Sequence, residues 1–119
     1  MEQKFRPVLS VRIFGDGKCF GPGVAELLKR VKEHRSLRSA AISMGMAYSK
    51  AWTVIKTAEK ELGFSLLVST TGGKHGGGAT LSTKADAILA AYEEYRAKLQ
   101  AYAEQEFTQS LKELFENDA

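Results

Sequence analysis

In the first half of the chain, apolar residues recur at helical spacing in three successive segments. The first segment has them at i, i+3, i+4 and i+7, which is the pattern of a helix with one buried face. These positions are Val24, Leu27, Leu28 and Val31. The second segment is shorter, with Ser36 as a suitable N-cap and Gly45 as the residue that ends it. Its expected buried positions are Leu37, Ala40, Ala41 and Met44.

A third helix is expected to begin three residues after Gly45 and to end at Gly63. Because Trp52 falls on its apolar stripe, we expect this side chain to be a core anchor and not a base-stacking group. The whole stripe comprises Tyr48, Ala51, Trp52, Ile55, Ala58 and Leu62. The opposite face carries hydroxyl groups and lysines, namely Ser49, Thr53, Lys56 and Lys60, with Lys50 and Thr57 beside it.

Strand-forming patterns lie on both sides of these helices. Residues 8–14 are rich in β-formers, and residues 18–20 are expected to return as the second strand of a hairpin. Residues 66–69 and 79–82 predict two further short strands around a loop, residues 70–78, with five glycines. From Ser82 or Thr83 to about Phe115 the chain favours a helix, and a shift in its apolar register predicts a break or kink near Gln105.

This order of elements is typical of a winged helix-turn-helix, in which two strands and their loop follow the third helix. We therefore predict a mostly α fold with a small β component (α+β), comprising an N-terminal β-hairpin, the winged helix-turn-helix and a long C-terminal helix. Residues 1–82 are expected to form a DNA-binding domain, and residues 83–119 a helical dimerisation segment.

The charge of the chain is unevenly distributed. Up to Gly78 there are 13 basic and 6 acidic residues, a net charge of +7, whereas the remainder has 4 basic and 8 acidic residues, a net charge of −4. A basic body followed by an acidic tail suggests that the two parts meet different partners. Some basic residues lie on the first helix, where a solvated face is a simpler interpretation than a phosphate track. They are Lys29, Arg30, Lys32 and Arg35.

Several classes of function are not supported by the sequence. Cys19 is the single cysteine, so the chain has no internal disulfide, and the two distant histidines do not complete a zinc site with it. The glycine-rich loop lacks the P-loop pattern, because Val68 replaces the first glycine and His75 the Ser or Thr. We expect no catalytic residues, no cofactor and no metal. Without a leader or a membrane-length apolar run, we expect a cytoplasmic protein without membrane contact.

The third helix and the glycine-rich loop favour binding to double-stranded DNA. A helix fits the major groove, where hydroxyl and lysine side chains reach base edges or phosphates. A wing with small residues and a cation can follow the backbone or enter a minor groove. The predicted DNA-binding residues are Ser36, Arg38, Ser49, Lys50, Thr53, Lys56, Thr70, Thr71, Lys74 and His75.

The apolar stripe of the C-terminal helix either packs on its own domain or forms the interface of a homodimer. We favour the dimer, because a small domain leaves much of a ~30-residue helix unburied, and helix seams repeat at 3.5 residues. The interface residues would be Ile88, Tyr92, Tyr95, Leu99 and Tyr102. A symmetric dimer would bind half-sites separated by ~34 Å or a multiple of it. The alternative is a protein-interaction module that reuses the winged-helix scaffold without binding DNA.

Four stretches resemble the N-terminal domain of the ModE family of molybdate-responsive transcription regulators. They are residues 20–23 (FGPG), residues 40–46 (AAISMGM), residues 48–52 (YSKAW) and residues 72–81 (GGKHGGGATL). The similarity covers roughly residues 11–95. The family usually has Ser-Tyr-Lys before the Ala-Trp pair, whereas this chain has Ala47-Tyr48-Ser49-Lys50. Since these changes fall where bases would be contacted, the resemblance does not imply a particular operator.

The resemblance implies a LysR-like winged helix that regulates transcription, with a link to molybdate or metal-oxyanion metabolism. Members of the family continue into small β-barrel domains that bind the oxyanion, whereas this sequence ends at Ala119. We therefore expect a stand-alone DNA-binding domain whose sensor is a separate protein.

Overall fold

The computed structural model describes residues 4–70 and 78–117. In this part of the chain, two antiparallel two-stranded sheets accompany the helices, one from β1 and β2 and the other from β3 and β4. The arrangement confirms the predicted mostly helical α+β fold, with a hairpin at its start and a long helix near its end. The elements are β1 (Ile13–Phe14), β2 (Lys18–Phe20), α1 (Pro22–His34), α2 (Leu37–Ser43), α3 (Tyr48–Leu62), β3 (Leu67–Thr70), β4 (Gly78–Leu81), α4 (Thr83–Ser110) and α5 (Lys112–Glu116).

The core is built around α1, which contacts α2, α3, α4, β2 and β4. Leu27, Leu28 and Val31 have no exposed surface, so the predicted apolar stripe of this helix is confirmed. Pro22 stands in the first turn of α1, where its missing N–H removes no helical hydrogen bond. Arg35 follows the last residue of the helix as its C-cap and has the left-handed φ of 59°.

Alanines bring α2 close to α1 and α3. Ala40 and Ala41 of α2 and Ala51 of α3 are completely buried. Small side chains at a crossing reduce the separation of the helix axes, because that separation depends on the side chains at the contact. The short α2 helix, which has only two turns of its own, is thereby held between two longer helices.

The predicted limits of α2 are also confirmed. The Ser36 side chain caps the helix, since its Oγ accepts a hydrogen bond from the Ser39 N–H at 3.1 Å. Gly45 has φ of +65°, the left-handed conformation that glycine adopts without steric cost. The Met46 N–H then donates to the carbonyl oxygen of Ala41 at 2.9 Å, which closes the turn into α3.

The prediction that Trp52 is a core anchor is wrong. Ala51, Ile55 and Ala58 form the buried stripe of α3, whereas the Trp52 side chain is 47% exposed. Successive residues of an α-helix are separated by about 100° around its axis. Trp52 therefore lies roughly a quarter turn from the centre of the stripe, at the edge of the solvent-facing side.

The N-terminal strand is shorter than predicted, because Ile13 and Phe14 are its strand residues and the chain before them has no strand partner within the described part. Upstream of this strand, Gln100 of α4 makes two hydrogen bonds to the backbone. The Gln100 amide donates from Nε2 to the Pro7 carbonyl at 2.7 Å and accepts from the Leu9 N–H at 3.2 Å. The donor and acceptor that a neighbouring strand would offer are supplied by Gln100 instead.

The break expected near Gln105 is not there, since α4 continues to Ser110 and Leu111 joins it to α5. The position of the break follows from aromatic packing. The ring centroids of Phe107 and Phe115 are 5.7 Å apart. In a straight helix, residues eight positions apart would be separated by about 12 Å along the axis. The chain must bend between them for these two rings to meet.

Ion pairs engage most of the basic side chains of α1. Arg30 pairs with Glu26 at 2.8 Å and also donates to the Ser43 carbonyl oxygen at the end of α2. Lys32 pairs with Asp86 of α4 at 2.7 Å. Both ion pairs remain partly exposed, so this face of α1 is solvated and its cations are paired with acids of the same chain.

Glu93 of α4 lies between two cations and joins α4 to α1. It pairs with Lys29 at 3.1 Å and with Arg96 at 2.6 Å. Burial disfavours the charged form of Glu93. The hydrogen-bonded ion pairs with Lys29 and Arg96 outweigh this effect and hold the pKa of Glu93 below its ordinary value of 4.5.

We predict that Glu93→Gln lowers the free energy of unfolding near neutral pH by about 1 kcal/mol, because the variant loses both ion pairs. A group with a lowered pKa stabilises the fold above its unfolded pKa, and this stabilisation is lost as the pH falls through its folded pKa. The difference from wild type should therefore shrink below pH 4.5. Urea unfolding of both proteins, from neutral pH to below pH 4.5, measures this difference in the free energy of unfolding. Glu94→Gln, on the exposed side of α4, is the control, and an unchanged difference at acid pH would contradict the prediction.

Candidate nucleic-acid interface

The hairpin formed by β3 and β4 is called the wing below. A groove of about 750 Å³ lies between the start of α2, one side of α3 and this wing. Its floor is apolar, with Ile55 and Leu67 among the lining residues, and its rim is polar and aromatic. The rim includes Ser36, Arg38, Tyr48, Trp52, Lys56 and Ser69. Helix α3 thus has a concave surface on one side and a solvent-facing surface opposite the core.

The predicted DNA-binding residues of α3 all lie on its exposed side. Ser49, Lys50, Thr53 and Lys56 are exposed. The hydroxyl of Thr53 donates to the Ser49 carbonyl oxygen at 2.9 Å, so it is held against its own helix. Lys56 Nζ lies 3.3 Å from Glu59 Oε1. Hydroxyl and amino groups are therefore presented along one helix face.

The two predicted residues at the start of α2 have different surroundings. Ser36 Oγ is engaged as the helix cap, which gives this side chain a structural function. Arg38 is exposed, and its guanidinium lies 4.4 Å from the centre of the Tyr48 ring. This cation–π contact links the start of α2 to the start of α3 at the rim of the groove.

Of the predicted wing residues, Thr70 is exposed at the end of β3, opposite Gly78 of β4. Thr71, Lys74 and His75 lie outside the described residues. A Cβ atom on Gly78 would collide with the Thr70 side chain and would lie 3.3 Å from the Arg35 carbonyl oxygen. The close approach of three segments explains why glycine stands at this end of the wing.

Two anchors fix the wing relative to the helices. The Ala79 N–H donates to the Arg35 carbonyl oxygen at 3.0 Å, which attaches β4 to the end of α1. Glu59 Oε2 accepts from the N–H groups of Leu66 at 2.7 Å and Leu67 at 3.4 Å, which attaches the start of β3 to α3. Sequence reasoning missed Glu59. The sequence feature that could have indicated it is the position of this acid between Lys56 and Lys60, one turn before the end of α3.

Sequence reasoning also missed the aromatic part of the rim. Tyr48 is 40% exposed and Trp52 47% exposed, and they stand four residues apart on the groove side of α3. Lys56 Nζ lies 5.6 Å from the centre of the Trp52 ring. The exposure of Trp52 could have been inferred from its angular position, a quarter turn around the helix from Ala51, Ile55 and Ala58.

The residues predicted for a dimer interface separate into two groups. Tyr92 is only 5% exposed, packs edge-on against Phe20 and donates from its hydroxyl to the Val11 carbonyl at 2.7 Å. Burial raises the pKa of Tyr92, as expected for a phenol in its own core. Tyr95 and Tyr102 are exposed, and Ile88 and Leu99 are half-buried.

Within residues 4–70 and 78–117, groups of three or more His, Cys, Asp and Glu side chains that could hold a metal ion are absent. In the same ranges, none of the helices has both the length and the apolar character needed to cross a membrane.

Residues 24–85 match the family described as bacterial regulatory helix-turn-helix proteins, lysR family. The match covers just over half of the 119 residues and runs from α1 through the wing into the start of α4. The chain belongs to the lysR family. The family description, a bacterial regulatory helix-turn-helix protein, applies to the segment that contains α2 and α3.

Individual relatives are similar to the same part of this lysR-family protein. The transcriptional regulator ModE of Haemophilus influenzae is 35% identical over 72 residues, which are 60% of this chain and 28% of that protein. The molybdenum transport protein ModE of Herbaspirillum seropedicae is 33% identical over 72 residues, which are 60% of this chain and 27% of that protein. The molybdenum-pterin-binding protein MopB of Rhodobacter capsulatus is 30% identical over 76 residues, which are 64% of this chain and 28% of that protein. The chain thus spans little more than a quarter of the length of these relatives.

We predict that Glu59→Ala destabilises the protein by about 1–3 kcal/mol, because the N–H groups of Leu66 and Leu67 lose their acceptor. Glu59→Gln should cost less, since the amide oxygen can still accept one of these hydrogen bonds. Urea unfolding measures both variants. Glu33→Ala, at an exposed position of α1, is the control with the same change of charge. Equal stability of Glu59→Ala and wild type would show that the carboxylate does not hold the wing.

Proposed function

We propose that this protein binds double-stranded DNA as a homodimer, with α3 in the major groove and the wing on the adjacent backbone or minor groove. The observation that carries the proposal is the exposed face of α3, where Ser49, Lys50 and Thr53 stand together. The positive charge of the first 78 residues, +7 in all, supports attraction to the phosphates. The major groove is wide enough for an α-helix.

Individual residues are assigned by their position on this surface. Ser49, Lys50 and Thr53 would contact base edges, since they lie in the first two turns of α3. Ser36, Arg38 and Lys56 would contact phosphates from the rim of the groove. The wing would contribute Thr70, together with Thr71, Lys74 and His75 on the sequence argument alone.

We assign residues 1–82 to DNA binding and residues 83–119 to dimerisation. Tyr95 and Tyr102 are 51% and 63% exposed in the single chain, and Leu99 lies between them. Together with Ile88, these residues offer the apolar surface that a second copy of α4 would cover. Tyr92 would support the interface from inside its own domain. The net charge of −4 beyond Gly78 would keep this segment away from the DNA backbone.

We also propose that the genes under control belong to molybdenum or other metal-oxyanion metabolism. The support comes from relatives whose names refer to molybdenum transport and to molybdenum-pterin binding. In this proposal a separate sensor protein is a further partner, and the present chain contributes DNA recognition.

The double substitution Lys50→Ala/Lys56→Ala should weaken binding to duplex DNA and reduce the slope of log K against log salt concentration by about 0.9, the contribution of the one phosphate contact that Lys56 would make. Fluorescence anisotropy with a labelled duplex at several salt concentrations measures this slope. The matched control is Lys98→Ala/Lys112→Ala, which removes the same charge from α4 and α5. If both double variants bound with the wild-type slope, α3 would not be in contact with DNA.

The double substitution Tyr95→Ala/Tyr102→Ala should raise the dissociation constant of the homodimer at least about tenfold, because exposed tyrosines often carry much of the binding free energy at interfaces. Sedimentation velocity over a range of protein concentrations measures the change. Ile42→Ala, a substitution of an exposed apolar residue on α2, is the control. A wild-type chain that sediments as a monomer would contradict the proposed interface.

A further inference from the structure

The exposed aromatic side chains of α3 are not explained by the hydroxyl and lysine contacts assigned above. Tyr48 and Trp52 stand at i and i+4, which places them side by side on the groove face of the helix. A single exposed apolar residue is ordinary on a protein surface. Here two neighbouring positions of a helix proposed to enter DNA both carry partly exposed aromatic rings.

Cations lie at both ends of this aromatic pair. The Arg38 guanidinium is 4.4 Å from the Tyr48 ring centre, and Lys56 Nζ is 5.6 Å from that of Trp52. The acidic side chain that lines the groove, Glu59, is already engaged by the Leu66 N–H at Oε2 and by Lys56 at Oε1. An apolar strip between positive groups matches the major groove, where base edges lie between two rows of phosphates.

We propose that Trp52 is a specificity-determining residue that contacts the C5-methyl group of a thymine in the major groove, an inference that rests on the proposed binding of α3 to DNA. The thymine methyl is the one apolar group that bases present in this groove, and apolar side chains recognise it by contact. Tyr48 extends the same surface toward α2, and the Arg38 and Lys56 side chains can reach the flanking phosphates. The contact requires no movement of the core, because the Trp52 ring already faces solvent.

The decisive experiment removes the methyl group from the DNA and the ring from the protein. A duplex selected from a random library by wild-type protein is resynthesised with deoxyuridine in place of each thymine in turn. We expect one position in each half-site at which this change weakens wild-type binding about fourfold, the effect of removing one methyl group from an apolar contact. Trp52→Ala should bind thymine and uracil equally there, and Trp52→Phe should keep part of the preference.

Phe14→Ala is the matched control, since it removes an exposed aromatic side chain from the N-terminal hairpin. It should keep the full preference for thymine. Circular dichroism melting of each variant verifies that it is folded. If Trp52→Ala and wild type lost the same factor at every uracil, or if no uracil weakened wild-type binding, the inference would be overturned while DNA binding itself stood. Failure of the wild-type protein to bind any duplex would overturn both the inference and the proposed function.

A second measurement uses the fact that Trp52 is the only tryptophan in the chain. Its fluorescence therefore reports on this position without a label. Saturating the wild-type protein with the selected duplex should protect the indole and cause a loss of acrylamide quenching. Unchanged quenching in a complex verified by anisotropy would show that Trp52 stays in water and would contradict the proposed contact.

Discussion

Close packing of three helices through alanine is the constraint on which the rest of this structure depends. Ala40, Ala41 and Ala51 are completely buried where α2 meets α1 and α3. A larger side chain at any of them would separate the helices, because a close-packed interior has no space to accept added volume. The direction in which α3 leaves the core, and hence the face that it presents to DNA in our proposal, follows from these contacts.

The wing depends on the same core but is held by polar contacts to backbone atoms. Arg35 offers a carbonyl oxygen to Ala79, and Glu59 offers a carboxylate to the start of β3. Both anchors come from the last turn or cap of a helix. The last carbonyl oxygens of a helix lack intrahelical partners, so the Arg35 oxygen is available to β4. As a result, a short hairpin acquires a fixed place beside α3, and its residues Leu67, Ala79 and Leu81 pack against the core.

Electrostatics separates the two proposed surfaces. Lys29 and Lys32 of α1 pair with acids of α4, whereas Lys50 on α3 is exposed. The ion pairs therefore engage basic charge of α1 within the same chain and join the body to the long helix. The basic groups of α3 and the start of α2 are left as the surface to which phosphates would be drawn.

The sequence by itself determined the elements and most of the core, because these depend on local periodicity and on residues such as Ser36 and Gly45 that end or begin helices. It also predicted the exposed polar face of α3. The exposure of Trp52, the burial of Tyr92 and the bend at Leu111 were decided by the tertiary structure. Each depends on which elements lie beside the residue: the open groove next to α3, Phe20 and Val11 next to α4, and Phe115 folding back onto Phe107. A helical sequence pattern specifies the direction in which a side chain leaves the helix axis. Only the packing of the elements specifies what occupies the space in that direction.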